Sequence, residues 1–147
     1  MRTFKGVVFF LLLLSSGISF GVCIDANGNS GRHPTVQNEF DNSYAVVIGR
    51  ATKATNLSED KSDPEGYTAT IFRFHVSKLL RGHLPTQIDI RSENDSGRFP
   101  LDLKKEYLLF IQKDKQVFFV DNCGNSALLS ESGKVLQELG ITEDGIK

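Results

Sequence analysis

The residues with the most chemical potential are two cysteines, Cys23 and Cys123, in a chain of 147 residues. A free thiolate could act as a nucleophile or bind a metal, whereas two cysteines in an oxidising compartment usually pair. A disulfide between them would close a loop of about 100 residues, which the chain-entropy model associates with about 4–5 kcal/mol of stabilisation. We predict this disulfide, which leaves no thiolate for a catalytic Cys–His pair; two unrelated buried thiols are the alternative.

A stretch near the N-terminus alternates oxygen-bearing side chains. Asp25, Asn27 and Asn29 have the spacing of the first ligands in a calcium loop. The sixth position of such a loop is normally Gly and the twelfth is Glu, but this chain has Ser30 and Val36 there. Without the bidentate Glu a calcium site would be weak, and we interpret the segment as a Gly- and Asn-rich linker.

No other pattern forms a complete catalytic or metal-binding set. Asp95-Ser96-Gly97 matches the short signature of an aspartic protease, but polar residues stand where that chemistry needs an apolar strand. We therefore interpret it as a surface turn. The histidines are His33, His75 and His83, and no two have the i, i+4 spacing of a helical metal site. We expect no catalytic residue, no metal and no cofactor, and we predict that the protein is not an enzyme.

The first 21 residues have the features of a secretory signal peptide. Arg2 and Lys5 form a positive n-region, and the apolar run 7–14 has the length of an h-region. Small residues just before position 22 fit the small-x-small cleavage rule, which would start the mature chain at Val22. We predict a secreted or periplasmic protein with no stable membrane span after cleavage; an uncleaved anchor is the alternative.

Hydrophobic patterning beyond the signal predicts five strands and two short helices. The predicted strands are 44–53, 72–80, 87–91, 107–111 and 117–120. The stretch 107–111 (YLLFI) is apolar on both faces and should be a central strand, and it forms a hairpin with the strand that follows it. One helix should run from Pro34 to Phe40, and a second from Glu131 to Leu139 with Gly140 as its C-cap.

Strands at this spacing, with few helical segments between them, predict a mostly β fold. The natural candidate is a five-stranded Greek-key barrel of the OB type, with a short N-terminal helix and a C-terminal helix. We expect this domain to span residues 33–140. The N-terminal segment 22–32, anchored by the disulfide, would precede it, and a polar tail, 141–147, would follow it.

Composition and charge narrow the class of partner. Hydrophobic residues make up 39% of the chain and charged residues 24%, as in an ordinary globular protein. The formal net charge is −1, and the signal region holds two basic residues and no acid, so the rest of the chain is more acidic still. A nucleic-acid-binding protein normally has a basic surplus and stacking aromatic residues on its surface, whereas the Phe residues here lie in apolar strand runs. We expect no nucleic-acid partner and a monomer.

Four stretches occur in an order that is typical of one known family. They are HPTVQNEFDNSYAVVIGRATK (33–53), FRFHVSKLLRG (72–82), KKEYLLF (104–110) and DNCGN (121–125). In sequence and order they resemble the netrin-like domain shared by the tissue inhibitors of metalloproteinases. The resemblance covers roughly residues 23–140 and is consistent with the OB-type barrel expected above.

In that family the mature N-terminal Cys chelates the catalytic zinc of a target protease through its α-amine and carbonyl. The resemblance implies this role for Cys23, with Val22 and Ile24 completing the candidate contact segment. A zinc ion with an open position accepts such an N/O pair, and a disulfide to the core would preorganise it. The chain differs from the family at Asp25, where the inhibitors carry a second Cys.

These observations predict an exported protein-binding module of the tissue-inhibitor type, whose partner is another exported protein. Inhibition of a metalloprotease through the N-terminal Cys segment is the specific hypothesis. The alternative is a structural or adhesion module of the cell envelope without inhibitory activity, acting through the barrel edge or the loops 54–66 and 92–100.

Overall fold

The computed structural model describes Cys23, residues 34–95, Gly97 and residues 99–142. Several sequence predictions concern residues outside this part of the chain. They are the signal peptide 1–21, the contact residues Val22 and Ile24, the calcium-loop residues Asp25, Asn27 and Asn29, His33, and the end of the tail, 143–147.

The described chain is mostly β, with a short helix before the strands and another after them, as predicted. In chain order the elements are α1 (Val36–Asn42), β1 (Ala45–Leu57), β2 (Ala69–Gly82), β3 (Gln87–Glu93), β4 (Glu106–Asp114), β5 (Val117–Val120), β6 (Ala127–Leu128) and α2 (Gly133–Glu138). A single 3-10 turn, Leu129–Glu131, connects β6 to α2. All five predicted strands are present, and the sixth, β6, has only two residues, too few to show any periodicity in the sequence.

The six strands form one mixed sheet. Antiparallel pairs join β1 to β2, β2 to β3, β4 to β5 and β4 to β6, and β1 also pairs antiparallel with β4. The pair β3–β5 is parallel, with Ile90 opposite Phe118 as its register position. The predicted hairpin of 107–111 with 117–120 is therefore confirmed as β4–β5.

Several predicted strand boundaries are wrong because the strands extend further than their apolar residues; β2, for example, begins at Ala69 and β4 ends at Asp114. Residues 54–57, predicted as loop, continue β1 and pair with 69–72 of β2, and residues 92–93 continue β3. Most of these residues are exposed, so no apolar alternation marks them; backbone pairing with the neighbouring strand holds them instead. The close approach of β1 to β2 depends on Gly49, where a Cβ would lie 2.1 Å from the backbone oxygen of His75.

The core is divided between the two faces of β1 and β4. On one face Val47 and Leu109 pack with residues of β2, β3 and β5, including Phe74 and Ile90. On the other face lies a cluster with residues from both helices: Val36, Val46, Ile48, Leu108, Phe110 and Leu136. This burial on both faces explains why residues 45–49 of β1 and 107–111 of β4 are runs without a polar alternation.

Both helices are closed by identifiable caps. The Thr35 hydroxyl accepts a hydrogen bond from the Asn38 amide at 3.2 Å, so α1 begins just after the predicted Pro34. At the end of α2, Gly140 has φ +67°, and the Ile141 amide donates to the Leu136 carbonyl at 2.9 Å. This Schellman arrangement confirms the predicted glycine cap and brings Ile141, assigned above to the polar tail, onto the apolar core. Within 34–95 and 99–142, no helix is both long and apolar enough to cross a membrane.

Candidate functional site: the disulfide-anchored N-terminal segment

The predicted bond between Cys23 and Cys123 is present. Their Cα atoms lie 5.5 Å apart, within the usual range for a disulfide, and Cys23 is buried. The alternative of two unrelated thiols is therefore wrong, and neither sulfur is free to serve as a nucleophile. Cys123 lies in the loop 121–126 between β5 and β6, so the bond holds residue 23 against the far end of the fold.

A buried carboxylate attaches this loop to α1. Glu39, in the middle of α1, is only 5% exposed. Its Oε2 atom accepts two hydrogen bonds of 2.6 Å, from the backbone amide of Asn125 and from the Asn125 side chain. The Asn125 side chain also donates to the Pro34 carbonyl at 3.0 Å. We call this group, Glu39 with Gly124 and Asn125, the carboxylate clamp.

Four of the five residues in the segment DNCGN have identifiable structural roles in this loop. The Asp121 carboxylate accepts a hydrogen bond from the Cys123 amide at 2.8 Å, which forms the turn that carries the sulfur. Gly124 permits the close approach of the loop to α1, because a Cβ there would lie 2.1 Å from Oε1 of Glu39. Asn125 then makes the hydrogen bonds of the clamp. The loop thus positions Cys123 from both sides, and Cys123 positions Cys23.

This arrangement positions the backbone of the disulfide loop relative to α1. Two amide groups of Asn125, one from the backbone and one from the side chain, donate to the Glu39 carboxylate. The nitrogen of Cys23 becomes an amine only in a chain that starts at this residue; in the full chain it is an amide. In such a processed chain, the disulfide would hold an amine and a carbonyl on a buried anchor.

A second polar cluster fixes the connection between β1 and β2. The Arg91 guanidinium donates to Glu59 at 2.6 Å and to Glu93 at 2.5 Å. The hydrogen bond from Arg91 is the main cause that lowers the pKa of the Glu59 carboxyl, and these two acids together raise the pKa of Arg91. Glu59 belongs to the predicted loop 54–66, so the ion pairs hold this loop against β3.

The remaining sequence candidates that the structure describes lie at the surface. The Asp95 carboxylate accepts a hydrogen bond from the Gly97 amide at 2.8 Å, a contact typical of turns, and both residues are exposed; Ser96 lies outside the described residues. His75 and His83 are exposed. Among the described residues, no group of three or more His, Cys, Asp or Glu side chains could hold a metal ion.

The sequence did not single out the clamp, although one signal was present. Glu39 stands three residues after Val36 and one before Phe40, a position on the buried face of a helix. A charged residue at such a position requires a hydrogen-bonding partner inside the fold. Asn125 could not be identified as that partner from a separation of 86 residues along the chain.

With this geometry in view, comparison with known proteins adds no assignment: no protein-family model matches the chain, and no curated protein sequence matches it.

Proposed function

We propose that the protein is an exported protein-binding module that presents its N-terminal segment to a partner protein. The observation that carries this proposal is the anchoring of Cys23: its disulfide partner lies in a loop held to α1 by a buried carboxylate. A contact segment anchored in this way loses less conformational freedom on binding than a free terminus does. We propose a binding role rather than an enzymatic one.

The fold within this proposal is a Greek-key barrel of the OB type, related to the netrin-like domain. The order of strand pairing supports it, because β1–β2–β3–β5–β4 leads back to β1 through the β1–β4 pair. The positions of the four stretches that resemble the netrin-like domain also support this fold proposal. The described part of the first stretch, 34–53, contains α1 and most of β1, and DNCGN lies in the disulfide loop.

Inhibition of a metalloprotease is the specific form of binding that we propose. A chain that begins at Cys23 would offer its α-amine and carbonyl to the open position of a protease zinc. The zinc belongs to the partner, and the inhibitor needs no metal of its own. A chain that begins at Val22 would place the amine one residue too far from the disulfide for this chelation.

The first experiment is an intact mass of the exported protein after thiol alkylation, with and without reduction. It determines the first residue and the state of both cysteines together. A start at Cys23, with both thiols protected until reduction, supports chelation. A start at Val22 or earlier rules out chelation and leaves a binding module without inhibitory activity.

An inhibition assay then tests the activity itself. The mature protein beginning at Cys23 is titrated against several zinc metalloproteases, beside a matched protein that carries one additional alanine before Cys23. Both proteins have the same fold and disulfide, so only the position of the amine differs. Inhibition by the first and not by the second is expected; equal inhibition, or none, contradicts the zinc-chelating mechanism.

A further inference from the structure

We propose that a depression between β3 and β5 binds a segment of a partner protein that carries a basic side chain beside an aliphatic one. The depression has a volume of about 430 Å³. This volume is within the range of small-ligand sites and is sufficient for two or three side chains. Neither Cys23 nor Cys123 lines it, so this site is separate from the N-terminal segment and does not depend on the function proposed above.

The floor of the depression is apolar where a solvent-facing strand surface is normally polar. Val117 and Phe119 are two residues apart in β5, so they lie on the same side of the strand. They are 42% and 37% exposed. Phe118, on the other side of β5, packs against the core, whereas Val120, at the end of the strand, belongs to the core and also lines the depression. Phe99 extends the apolar surface from the loop that follows β3. An antiparallel strand that only met water on this side would carry polar residues at 117 and 119.

The wall of the depression is acidic. Of the described residues that line it, Glu93, Asp95 and Asp114 are acids and Arg91 is the basic one. The guanidinium of Arg91 is already engaged by Glu93 and by Glu59, which lies outside the depression. The described lining therefore carries an excess of negative charge.

Asp114 is the acid that we expect to contribute most to recognition of a basic side chain in the depression, because of its position. It ends β4 opposite Val117, so its carboxylate borders the apolar floor. The neighbouring Lys113 does not neutralise it there, because the Lys113 ammonium lies over the rings of Tyr44 and Phe118, 4.8 Å and 5.5 Å from their centroids. An acidic wall around an apolar floor complements a cation attached to an aliphatic stem.

The test uses two fluorescent hexapeptides of equal length, one alternating lysine with leucine and one alternating glutamate with leucine. Their binding to the full exported protein is measured by fluorescence anisotropy. We expect the lysine peptide to bind at least tenfold more tightly than the glutamate peptide, with an affinity that falls as salt is raised. Equal affinities, or no binding of the lysine peptide at millimolar concentration, would overturn the proposal.

Two pairs of variants distinguish this site from general attraction to an acidic protein. Asp114→Lys and Glu106→Lys change the net charge equally and lie at opposite ends of β4, and only Asp114 borders the depression. Phe119→Ser and Tyr67→Ser replace aromatic residues of equal exposure, 37% each, and only Phe119 lies in the floor. We expect Asp114→Lys and Phe119→Ser to weaken binding of the lysine peptide about tenfold. Equal losses in both members of a pair would refute the site.

Asp114 and Glu106 are exposed, so their variants should keep the thermal unfolding profile of the parent protein. Phe119 and Tyr67 are each only 37% exposed, so their serine variants should lower the thermal midpoint by similar amounts, and this profile is measured alongside binding. A difference in peptide affinity between two variants of a pair whose unfolding is equal then reports on the surface alone. The outcome is also distinguishable from that of the protease assay, since none of these substitutions alters the first residue or the disulfide.

Discussion

Replacement of Gly124 by alanine tests whether the carboxylate clamp holds the disulfide loop. A Cβ at this position would lie 2.1 Å from Oε1 of Glu39 and 2.9 Å from its carboxyl carbon. The backbone of Gly124 is outside the left-handed region, so alanine meets no backbone strain there. The substitution therefore acts through the contact with Glu39.

The expected loss of stability follows from the hydrogen bonds of that carboxylate. To make room for the methyl group, Glu39 must move away from the two donors on Asn125, both at 2.6 Å. Hydrogen bonds to a charged group contribute about 1.5–3 kcal/mol each, and the buried site offers little water as a replacement. Allowing for partial retention of these bonds, we expect Gly124→Ala to lower the free energy of unfolding by about 2–4 kcal/mol.

The assay is urea unfolding of a double-mutant cycle made of Gly124→Ala, Glu39→Ala and the double variant. With the carboxylate removed, the methyl group no longer has its closest neighbour. The cost of Gly124→Ala should then fall below about 1 kcal/mol, giving a coupling energy of at least about 1 kcal/mol. Gly133→Ala is the matched control, because a Cβ at Gly133 meets nothing within 4 Å. It should be neutral or stabilise by up to about 1 kcal/mol through the helix propensity of alanine.

Additive effects in this cycle would refute the reasoning. If Gly124→Ala cost the same with and without the Glu39 carboxylate, the loop would be held by something other than the clamp. A neutral Gly124→Ala would show that the carboxylate adjusts without losing its partners. In either case the clamp would no longer explain the position of Cys123.

Three further predictions concern the disulfide, the contact of Gly49 with β2, and the ion pairs of Arg91. Replacement of both Cys23 and Cys123 by alanine should lower the free energy of unfolding by about 4–5 kcal/mol in urea titrations, and an unchanged midpoint would contradict the loop-closure argument. Gly49→Ala should cost more than about 3 kcal/mol, measured as a fall in thermal midpoint, because the new methyl would meet a backbone oxygen of β2 that cannot move without breaking strand pairing. Arg91→Gln should raise the pKa of Glu59 towards its ordinary value in a carboxyl NMR titration. Since the pKa of Glu59 is lowered in the folded protein, its contribution to stability is present above the ordinary glutamate pKa and is lost as pH falls through the lowered value, and the variant should lose this dependence.

The central strands could be predicted from sequence because their burial is visible in residue type. The runs 44–49 and 107–111 contact core on both faces, so every residue in them is apolar or small. The distal half of β1 could not be predicted in the same way. Residues 54–57 are held by hydrogen bonds to β2, and backbone pairing leaves no mark on side-chain type.

The candidate site, like the fold, could be predicted from the sequence only in part. The pairing of Cys23 with Cys123 followed from the count of cysteines and the predicted compartment. The clamp could not be predicted from sequence, because a carboxylate on the buried face of a helix does not indicate which distant residue donates hydrogen bonds to it. Asn125 is adjacent to Gly124 in sequence, yet its role is apparent only when α1 lies against the loop.

The disulfide and the clamp act on different states of the chain, and together they account for the anchoring of Cys23. A disulfide across about 100 residues stabilises mainly by restricting the unfolded chain, and by itself it does not orient the loop that carries it. The clamp acts only in the folded protein, where Glu39 orients the backbone around Cys123 through Asn125. Reduction should therefore release Cys23 while leaving the loop 121–126 on α1. A binding activity that depends on the N-terminal segment would be lost on reduction under conditions in which the fold persists, whereas binding in the depression beside β5 would remain.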